Sequence, residues 1–180
     1  DTAVGPARLR IDVGLYAYAS GERLPTAAGD CATLGYVTLL PAGGDANAVF
    51  INFDDQIALT GFSLSRRTMR AGDTLDVTLY WEALSAPRGD YVVFSHLVYP
   101  PDVVWAQTDA IPCDGAAPTG QWTAGQQIED HHTLALPANA PAGVYFIEIG
   151  IYDPLTMDRL PVNLSDRGIV LGQVAVSAGP

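Results

Sequence analysis

The chain has 180 residues, nearly half of them hydrophobic, with 20 acidic side chains against nine basic ones and a net charge of −11. That length can bury a sizeable core as one large domain or two small ones. The basic residues are all Arg and lie scattered apart from Arg66, Arg67 and Arg70, so no cationic face is offered to phosphate and nucleic acid is not an expected partner.

Leu9, Ile11, Val13, Leu15 and Ala17 alternate with Arg8, Arg10, Asp12, Gly14 and Tyr16, the period-two pattern of a half-buried strand. Residues 33–40 read as a second strand, and the Pro, Gly and Asp of segment 41–47 read as a linker. Two short strands follow, 49–53 and 56–64, around the turn-forming pair Asp54-Asp55. Leu75, Val77, Leu79 and Trp81 then alternate with Thr74, Asp76, Thr78 and Tyr80, which predicts a central strand with Trp81 in the core. Residues 91–99 form a nearly all-apolar run, suited to a strand covered on both faces. A strand over 103–108 leads into a loop over 109–125, longer than most connections, for which Trp122 is the natural anchor. Strands over 127–136, 145–151 and 169–176 complete the series. No window has a helical period, and strands recur every 8 to 15 residues with turn chemistry between them. The expected fold is all-β, an antiparallel immunoglobulin-like β-sandwich.

The chain also repeats itself. Val13-Gly14-Leu15-Tyr16 with Arg23-Leu24-Pro25 matches Ile149-Gly150-Ile151-Tyr152 with Arg159-Leu160-Pro161 at a constant offset of 136 residues, and Leu34-Gly35 matches Leu171-Gly172 after one inserted residue. The expected organisation is therefore the terminal strands of one module over 1–40, a linker over 41–47 and a complete module over 48–180. Since the chain begins inside a module, any targeting or membrane segment is expected upstream. No run of roughly 20 apolar residues is present to span a bilayer. The apolar face of strand 9–17 needs a cover, so residues 8–40 are expected to pack on the complete module or on a second chain in a homodimer.

Ala71-Gly72-Asp73 with Leu79-Tyr80-Trp81, Phe94-Ser95-His96-Leu97, Gln107-Thr108-Asp109, Pro118-Thr119 with Trp122, Pro141-Ala142-Gly143-Val144-Tyr145, and Gly150-Ile151-Tyr152-Asp153 with Arg159-Leu160-Pro161 form an ordered series. The series resembles the β-sandwich domains found, sometimes in tandem, after the membrane-spanning part of bacterial glycosyltransferase-like proteins similar to dolichyl-phosphate-mannose mannosyltransferases. The resemblance covers residues 48–176, with 8–40 matching the end of a preceding copy. It implies an extracytoplasmic accessory module whose partner is the neighbouring module of the same polypeptide. The catalytic carboxylates of such transferases belong to their membrane part, and no residue here takes their place.

Tyr16 with Arg23, and Tyr152 with Arg159, are read as structural pairs that close a turn, the guanidinium bonding loop carbonyls or stacking on the phenol. Trp81, Trp122, Tyr152 and Arg159 are accordingly expected to be buried. Glu129-Asp130-His131-His132 is the densest group of possible metal ligands. On a strand only Asp130 and His132 share a face, and His96 and Asp109 would have to complete a metal site or acid-base pair. The alternative is that each bonds a loop backbone. Ser95 beside His96 points to the opposite face, no Gly-x-Ser-x-Gly elbow is present, and no spacing singles out a carboxylate pair, so catalysis is not expected. No motif calls for a cofactor. Tyr99, Trp105 and Trp122 offer a glycan-stacking platform, against the plainer reading that Trp105 packs on its sheet and Trp122 pins the long loop. Cys31 and Cys113 either form a disulfide between the two modules or stay unpaired; their spacing fits no zinc motif. Arg88-Gly89-Asp90 reads as turn chemistry.

Overall fold

The computed structural model describes residues 7–17, 20, 23–24, 32–39, 47–162 and 169–179, with backbone alone for 7–12, 16, 23–24 and 32–39. Its strands, in chain order, are β1 (Ala7–Val13), β2 (Leu15–Tyr16), β3 (Arg23–Leu24), β4 (Ala32–Leu39), β5 (Asn47–Phe53), β6 (Ile57–Leu64), β7 (Thr68–Arg70), β8 (Thr74–Ala83), β9 (Val92–Tyr99), β10 (Val103–Ala110), β11 (Gln127–Ala135), β12 (Gly143–Tyr152) and β13 (Ile169–Ser177). A single 3-10 turn, Thr119–Gln121, interrupts the β10–β11 loop. Among the described residues the architecture is all-β, as the alternation requires.

Two sheets build the sandwich. One is five-stranded in the order β10-β9-β12-β13-β7, and the other is four-stranded in the order β11-β8-β6-β5. Pairing within them is antiparallel except for the short parallel contact of β7 with β13. The alternation in β8 and β11 becomes strict alternation of buried and open positions, because each strand has one face on the opposite sheet and one in water. Trp81, Tyr145, Phe53, Phe62, Leu79, Leu97 and Ile147 fill the core at under 2% exposure, with the Phe53 ring edge-on to Trp81 at 5.7 Å. The Thr108 hydroxyl donates to the Thr133 carbonyl at 2.8 Å and ties β10 to β11 across one open side. On the other side the Asp54 amide donates to the Pro161 carbonyl at 3.0 Å.

Local chemistry sets the turns. Asp54 and Asp55 both have positive φ, 53° and 55°, and the Gln56 amide donates to the Phe53 carbonyl, as in the tight hairpin turns that favour Asp and Asn. Asn47, read from sequence as the last linker residue, opens β5 instead: it is 2% exposed and donates its carboxamide to the Phe62 carbonyl. Residues 41–46 and Cys31 lie outside the described residues.

The paired segments at the two ends of the chain share a register. In β1/β4, Ile11 faces Gly35, and the pairing then slips so that Asp12 faces Thr33. In β12/β13, Ile147 faces Gly172, and Glu148 then faces Val170. The irregularity thus falls at the same step, 136 residues apart on the first strand and 137 on the second. Beyond it, Tyr16 pairs with Arg23 and Tyr152 with Arg159.

Candidate functional site

The outer face of the five-stranded sheet carries a cluster centred on Phe94. In register, Phe94 lies between Gly150 of β12 and Asp109 of β10. With no Cβ at Gly150 the ring can lie down across the sheet; a Cβ there would overlap it. The Arg159 guanidinium stacks 4.6 Å from the ring centroid, the His96 ring lies at 4.7 Å and the Tyr152 ring at 6.3 Å. Together they leave Phe94 only 2% exposed. Asp109 ties two of these neighbours together: its Oδ1 lies 3.1 Å from His96 Nε2, and its Oδ2 accepts the Tyr152 hydroxyl at 3.4 Å.

Chemically this cluster is a clasp. The Tyr152 hydroxyl is pushed above its ordinary pKa by burial and then by the charge and hydrogen bond of Asp109, so it stays protonated and cannot serve as a base near neutrality. The His96–Asp109 pair has the geometry of an acid-base pair, yet the neighbouring hydroxyl, Ser95, is 0% exposed on the opposite, core-facing side of β9, as the alternation predicts. Tyr152 and Arg159 face each other in an antiparallel bridge across the turn. Arg159 itself is exposed, contrary to the expected burial, and its cation stacks on Phe94 rather than on the Tyr152 phenol.

The second pair, Asp130 and His132, sits elsewhere, on the core-facing side of β11. Asp130 is 1% exposed and His132 2%. Asp130 Oδ2 accepts from His132 Nε2 at 2.9 Å and from the Trp81 indole at 3.4 Å, while Oδ1 accepts the Cys113 amide at 2.7 Å. Burial alone would raise the Asp130 carboxyl; the hydrogen bond and charge of His132, the Cys113 amide and the Trp81 indole outweigh it, and the carboxyl sits below its ordinary range. The Cys113 amide can reach it because Cys113 and Asp114 both adopt positive φ, 57° and 53°. Asp130 thus bonds a loop backbone, the plainer of the two sequence readings, and it anchors the long loop to the sheet.

His96, Asp109, Asp130 and His132 therefore do not converge. They form two pairs on opposite faces of different sheets, and among the described residues no three His, Cys, Asp or Glu side chains gather to hold a metal ion. Cys113 is a free thiol. Its pKa is raised by burial first and then by Asp130, Asp114 and Glu129, the opposite of what an activated nucleophile needs.

The aromatic platform is not assembled either. Trp122 is 3% exposed and donates its indole N–H to the Ala117 carbonyl at 3.0 Å, pinning the loop. It lies by the start of β9, where Thr119 accepts the Tyr91 amide and donates to the Gly89 carbonyl, each at 2.8 Å. Tyr99 is at the other end of β9, roughly 26 Å away at the rise of an extended strand. It is half-buried over Gly143, with its ring 5.1 Å from Tyr145, and Trp105 is half-buried against the core. The Arg88-Gly89-Asp90 turn is a structural joint, with Asp90 accepting the Gly120 amide and Arg88 paired with Asp54 at 2.9 Å. Sequence reading missed Phe94 as the hub of the outer cluster. Its signal was the side-chain-free Gly150 on the neighbouring strand, visible only once the register is known.

No family model matches the chain, and no curated protein matches it in sequence. Among solved structures it is similar to the C-terminal domain of wzt, at 11% identity and a TM-score of 0.51, over 76% of this chain and 81% of that one. A Niemann-Pick type C2 protein from Japanese carpenter ant aligns at 11% identity and a TM-score of 0.43, over 76% of this chain and 99% of its own. At this identity the first likeness concerns the fold alone, a β-sandwich.

Proposed function

We propose that the chain is a non-catalytic β-sandwich module, preceded by the terminal strands of a similar module, with a structural or interaction role in a larger surface or membrane protein. The observation that carries this reading is the shared register of β1/β4 and β12/β13, slip and Tyr–Arg pair included. Two unrelated hairpins would have no reason to break at the same step. The absence of catalysis is supported by the fates of the candidate groups: Ser95 and Asp130–His132 are buried, the Cys113 thiol is held protonated, and Asp109 is engaged by His96 and Tyr152.

The ordered motifs from Ala71 to Pro161 support an extracytoplasmic setting beside a membrane glycosyltransferase-like part. No helix among the described residues is long and apolar enough to cross a membrane. Residues 8–40 pack on the complete module or, in a homodimer, on a second chain. Thermal unfolding of the full chain and of a chain starting at residue 47 tests the division. A complete module predicts one cooperative transition in both, with midpoints a few degrees apart; non-cooperative unfolding of the shorter chain would defeat it.

A further inference from the structure

On the outer face of the four-stranded sheet, at its β11 edge, Thr60, Tyr80, Gln127 and Glu129 surround an open hollow of about 290 Å³. Trp81 and Ile128, whose side chains point into the core, complete the lining. We propose that this hollow binds a pyranose unit of a neutral glycan, seated on the Tyr80 ring. The site is distinct from Tyr99, Trp105 and Trp122, and it goes beyond the module reading, which stands whether or not a sugar binds.

The ring is prepared for stacking by the strand beside it. Tyr80 faces Gly61 across β8 and β6, and the place of a Gly61 Cβ is 3.5 Å from the ring edge, so the ring leans across a position where the neighbouring strand has no side chain. The pairing slips between Leu59 and Gly61, and the extra residue, Thr60, donates its hydroxyl to the Tyr80 carbonyl at 3.0 Å. This bond fixes the backbone from which the ring projects. An aromatic face held in this way suits the C–H face of a pyranose.

The polar groups beside the ring match hydroxyls better than other ligands. Glu129 stands directly opposite Tyr80 on β11 and Gln127 opposite Glu82. Glu129 Oε1 lies 3.5 Å from His131 Nε2, and His131 Nδ1 is 3.1 Å from the Thr78 hydroxyl. That chain orients the carboxylate and leaves its second oxygen open. An anionic ligand would meet Glu129, Glu82 and a net charge of −11. An apolar ligand would bury these groups without partners. A simple amine would engage Glu129 but not the donor N–H groups of Gln127, whereas sugar hydroxyls both donate and accept.

The test is a titration of the full chain with cellohexaose and, separately, mannohexaose, followed by ¹H–¹⁵N correlation NMR. Saturable shifts confined to residues 60–61, 78–82 and 127–131 with at least one hexaose are expected. Tyr80→Ala should weaken binding roughly tenfold or more, the loss of one stacking platform, and Tyr80→Phe should retain most of it. The exposed Glu129→Gln, which carries no risk to the core, should weaken binding several-fold with an unchanged unfolding midpoint. No shift with either hexaose, shifts centred on other residues, or equal binding by wild type, Tyr80→Ala and Glu129→Gln would overturn the proposal. None of these results alters the unfolding comparison that tests the division into modules.

Discussion

Replacing Asp130 by Ala tests the account of the interior most sharply. The carboxylate is 1% exposed and accepts hydrogen bonds from His132, the Cys113 amide and the Trp81 indole. Removing it strands two well-formed donors in the core and frees the loop that Cys113 anchors. Breaking a buried pair by deleting one partner costs about 3–5 kcal/mol, a large share of the roughly 5–15 kcal/mol that holds a domain together. Urea unfolding at pH 7 should show that loss, and thermal unfolding a midpoint roughly 6–20 °C lower. Asp130→Asn keeps the shape but turns one acceptor into a donor, and should lose less, about 2 kcal/mol. The pH dependence has a definite sign. Because the folded carboxyl titrates below its unfolded value, its contribution is complete above about pH 4 and fades as pH falls through the lowered folded pKa. For the carboxyl itself, the gap between wild type and Asp130→Ala should therefore narrow as pH falls below about 4. A loss under 1 kcal/mol at pH 7, or a gap that fails to narrow below about pH 4, would refute the reasoning.

Three further outcomes follow from named contacts. Gly150→Ala should destabilise by about 1–3 kcal/mol in urea unfolding, since the new methyl overlaps the Phe94 ring and must displace the clasp; a neutral result would mean that the ring does not rest there. Ser95→Ala removes a fully buried hydroxyl without a hydrogen-bond partner, so stability should hold or rise by up to about 1 kcal/mol, and a loss beyond 1 kcal/mol would reveal a missed partner. The Cys113 thiol, raised by burial and three nearby carboxylates, should react with a disulfide reagent at pH 8 more slowly in the folded chain than in urea; faster reaction in the folded chain would contradict that environment.

Much of the fold was legible because one physical rule governs most of the chain. A strand with one wet and one dry face writes its alternation into the sequence, and β8 and β11 read that way residue by residue. The same rule put Asp130 and His132 on one face and separated Ser95 from His96. What alternation cannot give is the partner across the strand. Whether His96 meets Asp109 or Asp130 depends on strand order and register, which non-local pairing decides, and four separately plausible ligands were therefore grouped although they face different environments. Trp122 illustrates a second limit: a Trp beside a turn is equally suited to solvent or to a loop anchor, and the 3-10 turn with its Thr119 bonds settles the choice. The three-residue β7 was missed because so short an edge strand carries too few positions for a period to show. Arg159 was expected inside because it was read as closing a turn with Tyr152, yet a guanidinium can stack on Phe94 while keeping its charge in water.

The central claim, a complete module preceded by the end of a similar one, is tested most directly by amide hydrogen exchange on the full chain. Residues 7–13 and 32–39 should be protected in the same pattern as 143–152 and 169–177, with the break between Ile11 and Asp12 matching that between Ile147 and Glu148. Free exchange throughout 7–39 beside a protected sandwich would contradict the account.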